Sequence, residues 1–475
     1  MKTITALLAL ATLVACQPAK DPKPPTSETP TPSTATLTSA PEAGAALAQP
    51  PKPAAVGSLT VQVVPRFDRI TNDTRTLDVM VRLTGTGDVP AGRPPIDLAL
   101  VIDRSGSMSG DKIRSAKTAA LQLLDKLDAQ DRVTLISYSD RVQTHVTRLP
   151  MDATGKQAAR DALLALSANG MTALGPAMFA ALDATEQGLG DETRLAHVML
   201  MSDGLANVGE KRPEALGARA AQSFAKGVSV STVGVGLDYN EDLMTRLADM
   251  GGGRYHFVKD AEAIAGVLDD EMKGLVATVA RGVELEFKGG LGVGVAKVFG
   301  YASTTDDAIT RARIGALGAG QSREVLVRLT LPAYEGKVAD LGMLAVHFKD
   351  VPADGVARRV DLPVKVELTA DAAAMQASEQ AEVTVRVAEL EAAEKVEMAA
   401  RAADTGDFEG ATGALQIAID DLKDRSTKRP SPKLERKIKE LEEAQSEVAS
   451  ARGSEAGRKA YTKKYKAKAY LDRKK

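Results

Sequence analysis

Apolar and polar residues alternate with a period of two along SLTVQVVPRF (58–67) and TRTLDVMVRLTG (74–85). That period predicts strands with one buried face, paired antiparallel around the turn residues between them. IDLALVID (96–103) breaks the alternation with a nearly continuous apolar run, the pattern of a central parallel strand covered on both faces. Beyond it the period switches back and forth. GDKIRSAKTAALQLLDKL places Ile113, Ala116, Ala120, Leu124 and Leu127 on one helical face. DRVTLISYS reads as a strand, QTHVTRL as an edge strand, and GKQAARDALLAL and LGPAMFAALDATEQGL as helices. RLAHVMLMSDG is a strand ending at Asp203, and PEALGARAAQSFAKG a helix closed by Gly227. VSVSTVGVG, NEDLMTRLADMGGG, RYHFVKD and AEAIAGVLDDEMKGL continue strand, helix, strand, helix. Strands alternating with helices of this length imply a doubly wound α/β domain over 96–275.

After residue 275 the two-residue period returns in VARGVELEFKG, GVGVAKVFGY, ARIGALGAG, SREVLVRLTLP, KVADLGMLAVHFKD and ARRVDLPVKVEL, separated by Gly, Pro and Asp turns. These predict a β-sandwich over 276–369. The pair within 58–95 is too small to bury a core alone. We expect it to join that sandwich, with the α/β domain inserted; direct packing of 58–88 on the α/β domain is the alternative. Residues 370–475 are rich in Ala, Glu and Lys and predict a helical hairpin or bundle, with DTGDFEGA as a tight turn. The hairpin faintly resembles a tetratricopeptide unit, but one unit makes no array. From Gly457 to Lys475 the chain carries nine basic residues and one acidic, which reads as a solvated tail, with contact to anionic lipid or polymer as the alternative.

The first residues, MKTITALLALATLVACQPAK, combine Lys2 with an apolar stretch too short to span a bilayer. They end in LVAC, which resembles the bacterial lipobox. That resemblance implies a signal peptide over 1–15, a lipid on Cys16, and, with Gln17 rather than Asp following, an outer-membrane address in a two-membrane host. An ordinary secretory signal with a chance cysteine is the alternative. Ten of the chain's 22 prolines fall in 17–57, among Ser, Thr and Ala. We read 16–57 as the lipidated cysteine and a disordered tether, biased toward polyproline II at about 3.1 Å per residue.

A length of 475 residues accommodates roughly two or three domains. Lys and Arg number 61 against 63 Asp and Glu, for a formal net charge of -2, so no global field favours nucleic acid. Trp is absent and aromatics make up 3%, which leaves few stacking platforms for bases. With four scattered histidines and one cysteine, neither a Cys/His zinc site nor an intrachain disulfide is expected.

The chemistry concentrates in DRSGSMSG (103–110), at the tip of the apolar strand. A solvated turn, a hydrolase nucleophile and an oxygen-rich metal site compete there. Ligands of doubly wound sheets bind beyond the carboxyl ends of the strands. Asp103 and Asp203 both end apolar strands, and SANGMTALGPAM (167–178) brings Thr172 before a helix. Asp103, Ser105, Ser107, Thr172 and Asp203 are all oxygen donors on loops of one rim, which suits a hard divalent cation. The local alternative is plainer: Ser107 or Ser109 caps the following helix. GSMSG has Met where a G-x-S-x-G elbow has serine. GGLGVGVAKVFG lacks the Lys-Ser/Thr of a phosphate loop.

Three motifs in order, DxSxS, the threonine loop and MSDG, make residues 96–275 resemble a von Willebrand factor A domain with its metal-ion-dependent adhesion site. The resemblance implies that Ser105, Ser107 and Thr172 coordinate the metal and that Asp103 and Asp203 do so directly or through water. It further implies Mg²⁺, Mn²⁺ or Ca²⁺ as the cation and an Asp or Glu carboxylate of a protein ligand at its open position. No ATPase module accompanies the domain, which argues against the chelatase-subunit branch. The expectation is a non-enzymatic, lipid-anchored cell-envelope protein that binds a protein or acidic ligand, in adhesion or envelope assembly. A scaffold recognised through its helical C-terminal region stands second, and a metal-dependent hydrolase third. No nucleic-acid partner is expected.

Overall fold

The computed structural model describes residues 52–87, 93–190 and 193–475. Its α/β part is a six-stranded sheet in the order Gly252–Val258, Val228–Val235, Leu195–Ser202, Ile96–Asp103, Arg132–Tyr138, Val142–Pro150. The first five run parallel and the last antiparallel. Every residue of Ile96–Asp103 and of Leu195–Ser202 is buried, because helices cover both faces. Ile96, Leu98, Leu100 and Ile102 face the helices Asp111–Asp125, Ala153–Leu164 and Ile264–Val276. Ala99 and Val101 face Leu174–Glu186, Pro213–Lys226 and Glu241–Met250. A continuous apolar run is therefore two alternating patterns superposed, one for each helical layer.

Two further sheets share one core. The five-stranded sheet runs Ala54–Val56, Leu59–Pro65, Thr76–Gly85, Ser322–Thr330, Gly294–Val298. The six-stranded one runs Ser303–Asp306, Ile309–Gly318, Thr278–Gly289, Val338–Asp350, Val356–Leu368, Arg69–Ile70. Val61, Val81 and Val327 of the first meet Leu285, Phe287 and Val346 of the second. Thr76–Gly85 pairs antiparallel with Ser322–Thr330 from Thr76↔Thr330 to Thr84↔Ser322. The N-terminal strands thus complete a sheet with strands that follow the α/β domain in sequence. Ala54–Val56 pairs with 59–61, so the tether reading of 16–57 overreaches at its end.

The C-terminal helices are Ala372–Ala377, Ala381–Asp404, Phe408–Lys428, Pro432–Ala451 and Glu455–Arg473. Val383, Val387 and Leu390 lie on the outer face of the five-stranded sheet, against Val64, Met80 and Leu326. The last helix corrects the solvated-tail reading. Ser454 caps its first turn, and Tyr461, Tyr465 and Tyr470 are buried. Tyr470 packs edge-on against Tyr255 of the α/β sheet, ring centroids 5.5 Å apart, and its hydroxyl accepts from the Tyr255 backbone N–H at 3.2 Å. Lys463 and Lys466 both engage Glu241, and Lys459 lies 2.9 Å from Asp238. Those two lysines hold the Glu241 carboxyl down at about 2 despite its burial. Lys459, Lys463, Lys466 and Lys474 thus pair with acids of the α/β domain, and Lys464, Lys468 and Arg473 with acids of the other C-terminal helices. Among the described residues no helix is long and apolar enough to cross a membrane.

Candidate metal centre

The strands Ile96–Asp103 and Leu195–Ser202 are parallel neighbours, with Ile102 opposite Met201. The chain leaves them in opposite directions along the sheet, 96–103 feeding 132–138 and 195–202 feeding 228–235. Their carboxyl ends open a crevice at this switch point, and Asp103 and Asp203 stand on its two lips. Both carboxylates are fully buried. Asp103 Oδ1 accepts from the Ser105 N–H and Oδ2 from the Ser202 hydroxyl, each at 2.8 Å. The Ser107 hydroxyl donates to Asp203 Oδ1 at 2.7 Å and lies 3.0 Å from the Ser105 hydroxyl. The Lys112 ammonium sits 2.5 Å from Asp203 Oδ2.

Thr172 arrives from the loop before Leu174–Glu186. Its N–H donates to Asn207 Oδ1 at 2.8 Å, and its carbonyl accepts from the Asn207 N–H at 3.1 Å. A Cβ on Gly204 would lie 3.3 Å from Thr172 Oγ1 and 3.4 Å from Ser107 Oγ, so those two hydroxyls converge on one point from different loops. The loop's turn needs glycine at 170. Its φ is +75°, and a Cβ there would fall 2.1 Å from Asp140 Oδ2. The Gly170 carbonyl accepts from the Gly106 N–H at 2.9 Å, which ties the threonine loop to the DRSGSMSG turn. The capping alternative fails: Gly110 occupies the N-cap of Asp111–Asp125, with no side-chain cap, and the Ser109 hydroxyl donates to the Gly106 carbonyl.

All five rim residues are therefore brought together. Cys16 lies outside the described residues. Lys112, Ser202, Asn207 and Asp140 escaped sequence reasoning. Ser202 lies within MSDG, and Lys112 and Asn207 just beyond their motifs, but none of these residue types announces its role.

Electrostatically, the cradle is short of positive charge. Burial pushes the Asp103 carboxyl up against the pull of its Ser105 and Ser202 hydrogen bonds, and the neighbouring Asp203 charge adds to the rise. Hydroxyls are neutral donors and cannot offset two buried carboxylates. The donor set fits a hard cation: two carboxylates and three hydroxyls, with exposed Ser107 leaving the site accessible from outside. Among the described residues no group of three or more His, Cys, Asp or Glu is placed to hold a metal ion, so hydroxyls would have to complete the coordination. Among the described residues no imidazole hydrogen-bonds to any of the five. The nearest layer holds His145 behind the motif, 2.8 Å from the Ser137 hydroxyl. A metal here would supply an electrophilic open position. Asp103 and Asp203 would hold it by charge, and Ser105, Ser107 and Thr172 by neutral oxygens.

A doubly wound sheet carrying these residues at its switch point defines the class. Residues 97–270 match the model of the von Willebrand factor type A domain, and this part of the chain is such a domain. The uncharacterized protein YfbK of Escherichia coli (strain K12) is 29% identical over 222 residues, 46% of this chain and 37% of that protein. The uncharacterized protein sll0103 of Synechocystis sp. is 27% identical over 288 residues, 58% of this chain and 66% of that one. Inter-alpha-trypsin inhibitor heavy chain H3 of Homo sapiens is 29% identical over 211 residues, 42% and 23% of the two chains. This chain thus spans less than two thirds of the length of these relatives. Among solved structures, a von Willebrand factor type A protein from Catenulispora acidiphila superposes with a TM-score of 0.67 at 19% identity, over 83% of this chain and 89% of that one. The ArnB paralog VWA2 from Sulfolobus acidocaldarius gives 0.55 at 17% identity, over 86% and 98%. The fold likeness to these two reaches well beyond the α/β domain. Domains of this type commonly mediate protein–protein interactions and commonly bind a divalent metal.

Proposed function

We propose that this protein is a lipid-anchored component of the cell envelope whose von Willebrand factor A domain grips an acidic group of a protein ligand through a divalent cation. The cation is Mg²⁺, with Mn²⁺ or Ca²⁺ able to replace it, and its ligands are Asp103, Ser105, Ser107, Thr172 and Asp203. One observation carries the reading. Two fully buried carboxylates from neighbouring strands share one crevice with hydroxyls of the turn after Asp103 and of the separate threonine loop, and Lys112 is the one cation that touches them among the described residues. The absence of a base beside the five oxygens, among the described residues, favours binding over hydrolysis. Cys16 carries the lipid, and the outer membrane is its address.

Two experiments test this. Calorimetric titration of Mg²⁺ into chelator-stripped protein should show one saturable site that Asp103→Ala abolishes; equal heats from wild type and variant would remove the metal from the function. Cys16→Ser should move the protein from the detergent phase to the aqueous phase. An unlipidated mature wild type would overturn the anchor and leave the metal site standing.

A further inference from the structure

At the opposite end of the α/β sheet, where it meets the six-stranded sheet, lies a second polar site. A cavity of about 60 Å³ opens between the two, several times the roughly 10–15 Å³ that one water needs. His197, Arg254 and Glu271 line it from the α/β side, and Gln321 and Arg323 from the other. Glu271 is the one carboxylate among the lining residues described, and its oxygens are already engaged. Oε1 pairs with His256 Nε2 at 2.7 Å, and Oε2 accepts from the Ser231 hydroxyl at 2.8 Å.

The groups that can donate are different. His197 is fully buried, and its Nε2 has no hydrogen-bond partner; Glu271 Oε2, at 3.6 Å, is beyond hydrogen-bonding reach. The Ser229 hydroxyl lies 2.7 Å from His197 Nδ1. The same hydroxyl lies 3.3 Å from the Ala196 carbonyl; in the tautomer in which it donates to the nearer Nδ1, Nε2 carries the ring proton toward the cavity. Arg254 comes no nearer to Glu271 than 3.9 Å, and Gly274 leaves room for its guanidinium, since a Cβ there would already lie 3.6 Å from both terminal nitrogens. Among the described residues, Arg323 makes no side-chain hydrogen bond or ion pair. The Gln321 carbonyl oxygen accepts from the Gly318 N–H at 3.1 Å, which leaves its amide N–H groups for the cavity.

We propose that this cavity is a site for a tetrahedral oxyanion, phosphate or sulfate, bound by Arg254, Arg323, Gln321 and His197 Nε2. Two guanidiniums against one engaged carboxylate give the lining a net positive charge, and every unengaged polar group there can be a donor. Arginine's fork suits such an anion. At about 60 Å³ the cavity is nearer the size of the free ion than of an organic phosphate ester. Because its donors come from both sides of the junction, the bound ion fastens the α/β domain to the sheets behind it.

The test uses the full chain in excess chelator, so that no cation at the rim can recruit the anion. Calorimetric titration with inorganic phosphate or sulfate at low millimolar concentration should give one saturable site, and chloride at matched ionic strength should give none. Arg323→Gln should weaken binding at least tenfold. Half-exposed Arg254→Gln, whose circular dichroism should match wild type, should do the same even if the first variant folds poorly. Asp103→Ala should bind the anion as wild type does, which separates this site from the metal centre. Tighter binding of glycerol 3-phosphate than of phosphate would overturn the size argument. No saturable heat with either ion, or unchanged affinity in Arg254→Gln, would overturn the site.

Discussion

The two ends of the α/β sheet both bury carboxylates, and they treat them in opposite ways. At the rim, Asp103 is surrounded by hydroxyls and a backbone N–H, and burial wins: its carboxyl is pushed up. At the junction, Glu271 is equally buried, but His256, His197 and Arg254 hold its carboxyl down at about 2. A buried acid with cationic neighbours is a finished structural element. A buried acid with neutral neighbours still lacks a charge, and a cation from solution can supply it. The same contrast, with signs reversed, sets Arg323 apart: burial depresses it, and the charge of Arg254 adds to that.

The sharpest way to break this comparison is to neutralise each acid in turn, in chelator. Glu271→Gln should destabilise the protein at pH 7 by about 3 kcal/mol, the worth of a carboxyl lowered from 4.5 to about 2. The folded-state value is the lower one, so this stability is present above pH about 4.5 and disappears as pH falls toward 2. Denaturant melts at pH 7 and pH 3 should show the gap between wild type and variant closing. Asp103→Asn under the same conditions should cost less than about 1 kcal/mol or stabilise, because it removes a charge that has no cation. A large loss there would mean that Asp103 is already compensated.

Adding metal should reverse the order. At a hundredfold excess over its dissociation constant, Mg²⁺ should stabilise wild type by about 2.7 kcal/mol. Asp103→Ala should lose nearly all of this, as read from paired thermal melts. Lys112→Met tests the residue that sits where charge is needed. With the ammonium gone from Asp203 Oδ2, Mg²⁺ should bind several-fold more tightly, and weaker binding would show that the lysine assists rather than competes. The smallest effect is expected from Thr172→Ala. Metal affinity in the absence of ligand should fall by less than a few-fold, because one neutral oxygen is lost and both carboxylates remain.

Legibility followed the range of the interactions. Ile96–Asp103 and Leu195–Ser202 could be read because each strand's burial is written in its own apolar run, and the rim residues follow those runs within a few positions. Thr172 could be placed because its loop opens a helix. The last helix could not be read. Nine basic residues hide a buried face built from Tyr461, Tyr465 and Tyr470, and the acids that draw the helix onto the α/β domain, Glu241 and Asp238 among them, lie more than two hundred residues away. The junction left no mark either, since His197, Arg254, Glu271 and Arg323 sit on four separate elements with no shared spacing.

Taken alone, the chain's residues determined the alternation of strand and helix, the apolar strand ends, and the set of oxygen donors that those ends carry, because hydrophobic periodicity and residue chemistry act within one element. Tertiary structure decided which charges are compensated. It set Lys112 on Asp203 and drew the basic last helix onto the α/β domain. It also left His197 Nε2 and Arg323 facing a cavity without a partner among the described residues. Whether a buried charge is satisfied depends on groups brought within a few ångströms by the fold, and separation along the chain carries no information about that distance.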